Sequence, residues 1–526
     1  QTKAILPNPS TGNYEERLIV SGKTIMDEYG RAIYSYYPTT KNMSIIAVFS
    51  TAVDNINPTT VYYDVMDRKT KIRMPDNTIN QMSYGFGNDA FGKKQFMQKT
   101  VDAIGTTFYA YTNAMGKQTT LRAPLGTITK FVYNTLGELL HSFDPQGYQT
   151  TYTYDNVGQL MSRVHPDAGT TSYTYDNAGN LMTVQTANLA AQSSSIAYDY
   201  EYNRLKQVTY PNSVGNDVYY EYGGFDPQTQ LPTNQTGRLV KMQDASGVQT
   251  FNYGRMGELI ENIHTFVVPG GDPYTFAMQW SYDSWNRTSS VDYPDGETVE
   301  YGYDDAGKLT SMSGVKGSNN YSYVDNIKYD KFGSQTKIVY GNGTSAKYTY
   351  DATTRRLANL QSYDAQSAPM QNINYQYYNN GNIATVANSA NAISNIGGNS
   401  SYSHYYDSLS RLTASYGVFT DFNNNNYSYL QTMTYSASGN ITNKSMLQGT
   451  TLINGAVTSN TYANQYQYAT SGKPHAVSSI KDANNNTTHS MSWDANGNMT
   501  NLNIPAQSLN RSICWDEENR LTIAKD

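Results

Sequence analysis

The chain has 526 residues, enough for three or four ordinary domains, with 38% hydrophobic and 15% charged residues, 49 tyrosines and a net charge of −6 at pH 7. This balance argues against broad electrostatic binding to nucleic acid or anionic membrane, and low charge with abundant aromatics argues against disorder. A single cysteine, Cys514, rules out an internal disulfide and a cysteine cluster for zinc.

The opening segment Gln1-Thr2-Lys3-Ala4-Ile5 is no signal peptide, and no apolar run in the chain approaches the roughly 20 residues of a membrane helix. Much of the hydrophobic share is tyrosine, so Leu, Ile and Val for dry cores are thin. The polarity comes from Asn, Thr, Ser, Gln and Gly, which suit strands and tight turns. Residues 1–60, with Val20-Ser21-Gly22-Lys23-Thr24 and Asp27-Glu28-Tyr29-Gly30-Arg31, read as diverged repeats that precede a regular array over 61–526.

The array begins with Tyr63-Asp64 through Arg68 and is plainest from residue 133. Tyr133-Asn134-Thr135-Leu136-Gly137, Tyr154-Asp155-Asn156-Val157-Gly158 and Tyr175-Asp176-Asn177-Ala178-Gly179 follow one another at a step of 21 residues. A weaker copy runs from Tyr253 through Gly257-Glu258-Leu259. The 21-residue step returns between Tyr282-Asp283 and Tyr303-Asp304, whose unit closes with Gly307, and between Tyr329-Asp330, with Gly333, and Tyr350-Asp351. Tyr406-Asp407 and Tyr435 head further copies. The last two units replace tyrosine by tryptophan, in Trp493-Asp494-Ala495-Asn496-Gly497 and Trp515-Asp516.

Each part of the unit has a mechanical reading. Residues before the motif alternate, as in Thr151-Tyr152-Thr153-Tyr154, the period-2 pattern of a strand with an aromatic face and a hydroxyl face. The aspartate leaves the strand, its carboxylate accepting a backbone N–H two residues on. The glycine three residues later supplies a positive φ, and Leu, Val or Ile opens the return strand. Half a repeat later comes a second turn, at Pro75-Asp76-Asn77, Pro124-Leu125-Gly126, Pro145-Gln146-Gly147, Pro166-Asp167-Ala168-Gly169 and Pro294-Asp295-Gly296. About 25 hairpins give on the order of 50 strands, a ribbon roughly 240 Å long at ~4.8 Å per strand, and a twisted sheet of that width curls or closes. The expected fold is all-β, with tandem hairpins forming a long spiral sheet rolled into a hollow shell and steadied by aromatic ladders between strands.

These units resemble the Rhs/YD repeats of bacterial polymorphic toxins, toxin-complex B/C components and the teneurin shell, and the resemblance covers nearly the whole chain. It implies a β-cocoon around a C-terminal toxic or otherwise folded segment. Such arrays usually continue beyond the Trp515 unit into a core with an aspartate-dependent self-cleavage site and a variable payload. Neither self-cleavage nor toxicity is carried over to this chain, which is expected to stop before any such core.

Alternative chemistry is weaker. The recurring Asp155, Asp176, Asp304 and Asp330 supply one carboxylate per turn, short of a calcium loop. Asp421-Phe422-Asn423-Asn424-Asn425-Asn426 and Asp482-Ala483-Asn484-Asn485-Asn486 lack a closing glutamate and read as loop tips. The six histidines, His141, His165, His264, His404, His475 and His489, show no ligand spacing and read as turn or strand-surface residues. Cys514 reads as a small packed side chain, and Pro269-Gly270-Gly271-Asp272-Pro273 as a turn. Exposed Tyr and Trp invite sugar stacking, against which stands stacking of the rings on one another. Two irregular stretches, 388–401 and 447–456, read as long tips that tolerate binding loops. No catalytic residue, cofactor or metal is expected. The expectation is a non-catalytic encapsulating scaffold, exported or on a bacterial surface, whose partner is an enclosed polypeptide, with a secretion-machinery or surface partner beside it. The alternative is an adhesin that binds glycans or proteins through its outer sheet and tips.

Overall fold

A computed structural model describes residues 2–8, 13–43, 51–212, 215–226, 228–229, 231, 233–268, 270–391, 398–421, 425–450, 461–468 and 472–526. The two irregular stretches therefore lie partly outside the described residues, as does the tip that follows Asp421. The fold is nearly all β: 43 strands are described, with short helical turns at Ala187–Ala190 and Pro505–Gln507. Forty of the strands belong to one long antiparallel sheet that is not closed.

Two compact units divide the chain. The first comprises Gln1–Ile128, Glu300–Thr434 and Lys444–Tyr462, and the second Thr129–Val299, Tyr435–Asn443 and Ala463–Asp526. The first unit opens with a separate three-stranded sheet of Thr2–Pro7, Tyr14–Val20 and Thr39–Asn42, which buries Leu6, Leu18 and Val20. Beyond it, strand follows strand by hairpin, as in Thr59–Tyr63, Lys69–Arg73 and Ile79–Asn88. In the second unit Gln149–Tyr154, Leu160–His165, Gly169–Tyr175 and Leu181–Gln185 pair in the same way, each with the next.

The register explains the motif. Thr153 faces Ser162, but Tyr154 faces Leu160, so one residue of the return strand is bulged at the turn. Asp155 donates its N–H to Gln159 O at 3.0 Å, and Gly158 N–H returns to Asp155 O at 3.3 Å, a tight turn followed by a left-handed residue. Gly158 has φ 85° and Gly179 φ 88°, where an L side chain is strained. Other copies place Asp67, Asn286, Ser410 or Asn519 at that position, with φ of 60°, 58°, 61° and 63°. Asn and Asp tolerate this region through local hydrogen bonds, so the slot needs positive φ more than it needs glycine.

The aspartate does more than its expected single bond. Asp155 Oδ1 accepts the N–H of Val157 and of Gln159, both at 2.9 Å, tying the turn at two points. Asn134 does the same with Leu136 and Glu138 at 3.0 Å each. Some of the second turns use the same device. Asp144 Oδ1 accepts from Gln146 at 3.0 Å and Tyr148 at 2.8 Å, and Asp102 from Ile104 and Thr106. Tyr253-Gly254 breaks the rule informatively. There Glu258 folds back into the space a Cβ on Gly254 would occupy, and its Oε2 takes the Met256 amide at 2.8 Å.

Side-chain cores are local. The one formed by Leu189, Ile196, Val208 and Tyr210 is closed by the Ala187–Ala190 turn of helix, which Thr186 caps through its hydroxyl to Leu189 N–H at 3.4 Å. The repeat pattern gives no sign of this helix.

Asp283→Ala should leave two amides of its turn without their acceptor and speed their hydrogen exchange several-fold. Asp283→Asn, which keeps the Oδ1 acceptor as Asn134 does, should be much milder; equal losses for the two variants would refute the two-amide role.

Candidate functional site

The recurring unit is itself the candidate site, and its aromatic residue joins one repeat to an earlier one. Tyr175 Oη donates to Leu160 O at 3.0 Å, Tyr253 to Leu239 O at 2.8 Å, Tyr282 to Leu259 O at 2.7 Å and Tyr329 to Leu309 O at 2.7 Å. Tyr377 and Tyr468 reach Leu357 O and Ile441 O in the same way. In each case the acceptor is the carbonyl of the residue that opens an earlier return strand, beside the bulge where strand pairing lapses. Tryptophan fills the slot because its indole N–H reaches the equivalent atom: Trp493 Nε1 donates to Val477 O at 2.9 Å and Trp515 Nε1 to Met499 O at 2.8 Å. The slot therefore selects a ring that carries a donor, which phenylalanine lacks.

A cation covers many of these rings. Arg68 lies 4.4 Å over Tyr84, Arg31 5.0 Å over Tyr63, Arg204 5.2 Å over Tyr222, Arg238 5.5 Å over Tyr253 and Arg356 5.6 Å over Tyr377. Two of these arginines, Arg31 and Arg68, stand four residues after the turn aspartate, and an arginine at that position also pairs with the second carboxylate oxygen in other repeats. Arg68 Nε donates to Asp64 Oδ2 at 2.8 Å, Arg287 to Asp283 at 2.7 Å and Arg411 to Asp407 at 2.7 Å. Asn180 and Asn498 substitute an amide, donating to Asp176 and Asp494 at 2.8 and 3.1 Å. Direct ring stacking is less regular than the expected ladder. It occurs at Tyr84–Phe96, Tyr321–Tyr323 and Phe419–Tyr427, with centroids 6.1–6.5 Å apart.

Tyr133, Tyr154, Tyr175, Tyr303, Tyr329, Trp493 and Trp515 each end a strand, and Asp155, Asp176, Asp304, Asp330, Asp494 and Asp516 each head the turn that follows. Gly137, Gly158, Gly179, Gly307, Gly333 and Gly497 hold positive φ between 77° and 89°. Asp304 and Asp330 each accept two backbone amides at 2.8–3.0 Å.

The carboxyls respond as these partners dictate. The Arg68 side chain holds Asp64 below the usual carboxylate range, Arg287 does so for Asp283, and the Asn180 amide for Asp176. Backbone and hydroxyl donors of Thr354 and Thr353 hold Asp351 at about 2. Because folding lowers these values, their stabilisation is present above the unfolded pKa and is lost as pH falls through the folded one.

Contacts between residues about 300 positions apart occur within each unit. In the first, Tyr14 Oη and Thr336 Oγ1 lie 2.6 Å apart, Tyr37 Oη donates to Thr353 O at 2.6 Å, and Lys3 pairs with Asp305 at 2.7 Å. In the second, Asn188 Nδ2 donates to Asp494 Oδ2 at 2.8 Å and Asn188 N–H to Asn496 Oδ1 at 2.9 Å, while Asn212 N–H meets Glu517 Oε1 at 3.0 Å. Most of the later partners, Asp305, Thr353, Asp494, Asn496 and Glu517, sit in hairpin turns, so loops that close hairpins also join distant repeats.

A cleft of about 440 Å³ in the first unit is lined by Tyr402, Gly417, Phe419, Tyr427, Tyr429 and Gln448 among others. Its floor is set by register: Tyr402, Gly417 and Tyr429 stand side by side on three adjacent strands. A Cβ on Gly417 would strike the Tyr402 and Tyr429 rings. Behind it, Ser415 Oγ lies 3.1 Å from both His404 Nδ1 and Tyr429 Oη.

Other expectations are met differently. Cys514 is exposed on its strand, opposite Ile523, and not packed, because the period-2 alternation turns its neighbours Ile513 and Trp515 to the more covered face. His475 is no simple surface residue: it bridges Asp144 and Asp167, two turns far away in sequence. No spacing rule flags it, since its partners lie 308 and 331 residues away. Among the described residues no group of three or more His, Cys, Asp or Glu is arranged to hold a metal ion. Among the described residues no helix is long and apolar enough to cross a membrane.

Comparison with known proteins follows the same lines. The profile of the teneurin YD-shell matches residues 109–526. Solved structures of similar fold include TcdB2-TccC3 without the hypervariable C-terminal region, at TM-score 0.76 and 16% identity over 99% of this chain and 28% of that one. They also include TcdB2-TccC3-Cdc42, at TM-score 0.72 and 18% identity over 99% and 29%. The Tc holotoxin pore of Photorhabdus luminescens gives TM-score 0.74 and 18% identity over 100% and 27%. The chain thus spans less than a third of the length of these structures. No curated protein matches it.

Tyr329→Phe should lower local stability by about 0.5–1.5 kcal/mol while keeping ring packing, and Trp493→Phe, which also removes one ring of the indole, by at least as much, as read by hydrogen exchange around Leu309 and Val477. No change in either would show the donor to be incidental. Separately, the melting temperature should fall progressively below about pH 4 as the turn carboxylates protonate. A melting temperature held constant down to about pH 2 would contradict the carboxylate role.

Proposed function

We propose, for a chain that belongs to the teneurin YD-shell family, the role of a non-catalytic scaffold whose sheet winds into a hollow wall around a polypeptide guest. The guest is either a C-terminal segment of the same polypeptide or a separate chain, shielded until delivery. On this reading residues 1–60 are diverged opening repeats and 61–526 the wall, and the protein acts outside the bacterial cell or at its surface, with a secretion or surface partner. The observation that carries the proposal is the repeated lock of ring donor on strand-opening carbonyl, which spends each repeat's polar groups on its neighbours. The turn aspartates fit a passive role. With Oδ1 taken by two amides and Oδ2 frequently by a side chain, as at Asp64, Asp176 and Asp283, such a carboxylate has little basicity left for proton transfer.

Small-angle scattering of the chain tests the wall directly. A pair-distance distribution with the deficit of short distances typical of a hollow particle is expected, and a solid or rod-like profile would overturn the proposal.

The cleft over Gly417 favours a second reading, in which the sheet binds glycans through the Tyr402, Phe419, Tyr427 and Tyr429 rings beside the Gln448 amide. Retention of the chain on an immobilised glycan, lost on Tyr427→Ala, is the expected result of that reading; absence of retention across a broad glycan panel would remove it.

A further inference from the structure

His475 stands between two carboxylates supplied by different hairpin turns. Its Nε2 lies 2.7 Å from Asp144 Oδ2 and its Nδ1 2.5 Å from Asp167 Oδ2, while its backbone N–H donates to Asp167 Oδ1 at 2.9 Å. Asp144 Oδ2 also accepts Ser438 Oγ at 2.6 Å. The Tyr148 ring meets the imidazole edge-on, 5.4 Å between centroids. The side chains of His475, Asp144 and Asp167 are all largely covered, at 26%, 23% and 14% exposure. These groups belong to the second unit, and His475 lies 308 and 331 positions from the aspartates it joins.

Imidazole chemistry makes the arrangement conditional. A neutral ring carries one N–H and one lone pair, so it can donate to only one of the two carboxylates and must turn its lone pair toward the other. Only the imidazolium donates from both nitrogens, and its charge strengthens both bonds. We propose that His475 is a proton-dependent clasp that closes this seam while protonated and releases it when the ring loses its proton, in a medium turning alkaline.

The surrounding charges are few and can be named. Asp144 and Asp167 face the ring. Lys473, on the same turn as His475, donates its ammonium to Asp167 O and, at 3.4 Å, to Ala495 O. His165 lies beside Asp167, its Nδ1 accepting the Asp167 N–H at 3.1 Å, and Arg163 stands on the strand that leads to it. Asp494, on the adjoining turn, is already held by Asn188 and Asn498. Burial alone would lower the His475 pKa, but the hydrogen bonds and charges of Asp144 and Asp167 outweigh it and raise the value above that of an ordinary histidine. His165, by contrast, is pushed down by burial. With a raised folded pKa, the contribution of His475 is complete below the unfolded value and disappears as pH rises through the folded one. The clasp is independent of what the sheet encloses, so it stands or falls apart from the scaffold reading.

The test combines a histidine titration with hydrogen exchange on the full chain. With histidine labelled at Cε1, six signals are expected, and the one removed by His475→Gln should titrate above the range of an ordinary histidine. Exchange at 144–148 and 165–169, corrected for the intrinsic rate, should accelerate about tenfold or more through that same titration, as expected for loss of one charge-assisted hydrogen bond. His475→Gln should abolish the step. Asp167→Asn provides a second arm: its amide keeps an acceptor for the His475 backbone N–H and offers a donor to the neutral ring, so protection should persist into alkaline solution. If His475 titrates at or below the range of an ordinary histidine, or if protection at the two turns ignores its titration, the clasp is refuted. Should His475→Gln fail to fold, the wild-type titration and Asp167→Asn still decide.

Discussion

A hairpin that ends in a bulge exposes a carbonyl where the strand ladder lapses, and a sheet of many such hairpins would accumulate one unsatisfied acceptor per repeat. The aromatic donor answers this. Tyr329 and Trp493 supply an O–H and an N–H to Leu309 O and Val477 O. Because each donor comes from a later hairpin than its acceptor, the bond also fixes the spacing of successive repeats. A sheet with few dry cores can thus be specified by polar contacts that recur in register, with the local cluster around Leu189 and Ile196 as a supplement.

The turn completes the unit from the other side. Its carboxylate organises two amides through Oδ1 and leaves Oδ2 for a residue four positions on, and at Arg31 and Arg68 the guanidinium continues over a tyrosine of the next hairpin. Turn, ring and cation are therefore links in one chain of contacts. Single exposed ion pairs contribute little, but here each is anchored to a backbone geometry that must form anyway.

Much of this was legible in the residues themselves. The 21-residue step from Tyr133 to Tyr154 to Tyr175, the alternation in Thr151-Tyr152-Thr153-Tyr154 and the Asp-to-Gly interval are local, and local patterns survive in a one-dimensional string. The replacement of Tyr by Trp in the last two units, never by Phe, already held the clue that the slot needs a donor, although read alone it indicated only an aromatic. What sequence could not give is what depends on partners hundreds of residues away. The bridge from His475 to Asp144 and Asp167, and the seating of Asn188 on Asp494 and Asn496, follow from where the hairpin tips come to lie. The helix at Ala187–Ala190 was hidden for another reason: four residues are too few to show a helical period. Cys514 was misplaced because a small thiol was assumed to be inward, whereas the alternation of its strand turns it outward.

The central claim is that the ring donors are engaged in native bonds that hold the repeats in register. Indole N–H exchange in tryptophan-labelled protein measures this directly, since the chain has four tryptophans. Trp493 and Trp515 donate to backbone carbonyls, whereas Trp285 sits 73% exposed at a turn. The account requires the Trp493 and Trp515 indole protons to be protected far beyond that of Trp285, with protection comparable to the strand amides around them. Rapid exchange of all the indole protons at similar rates would contradict it.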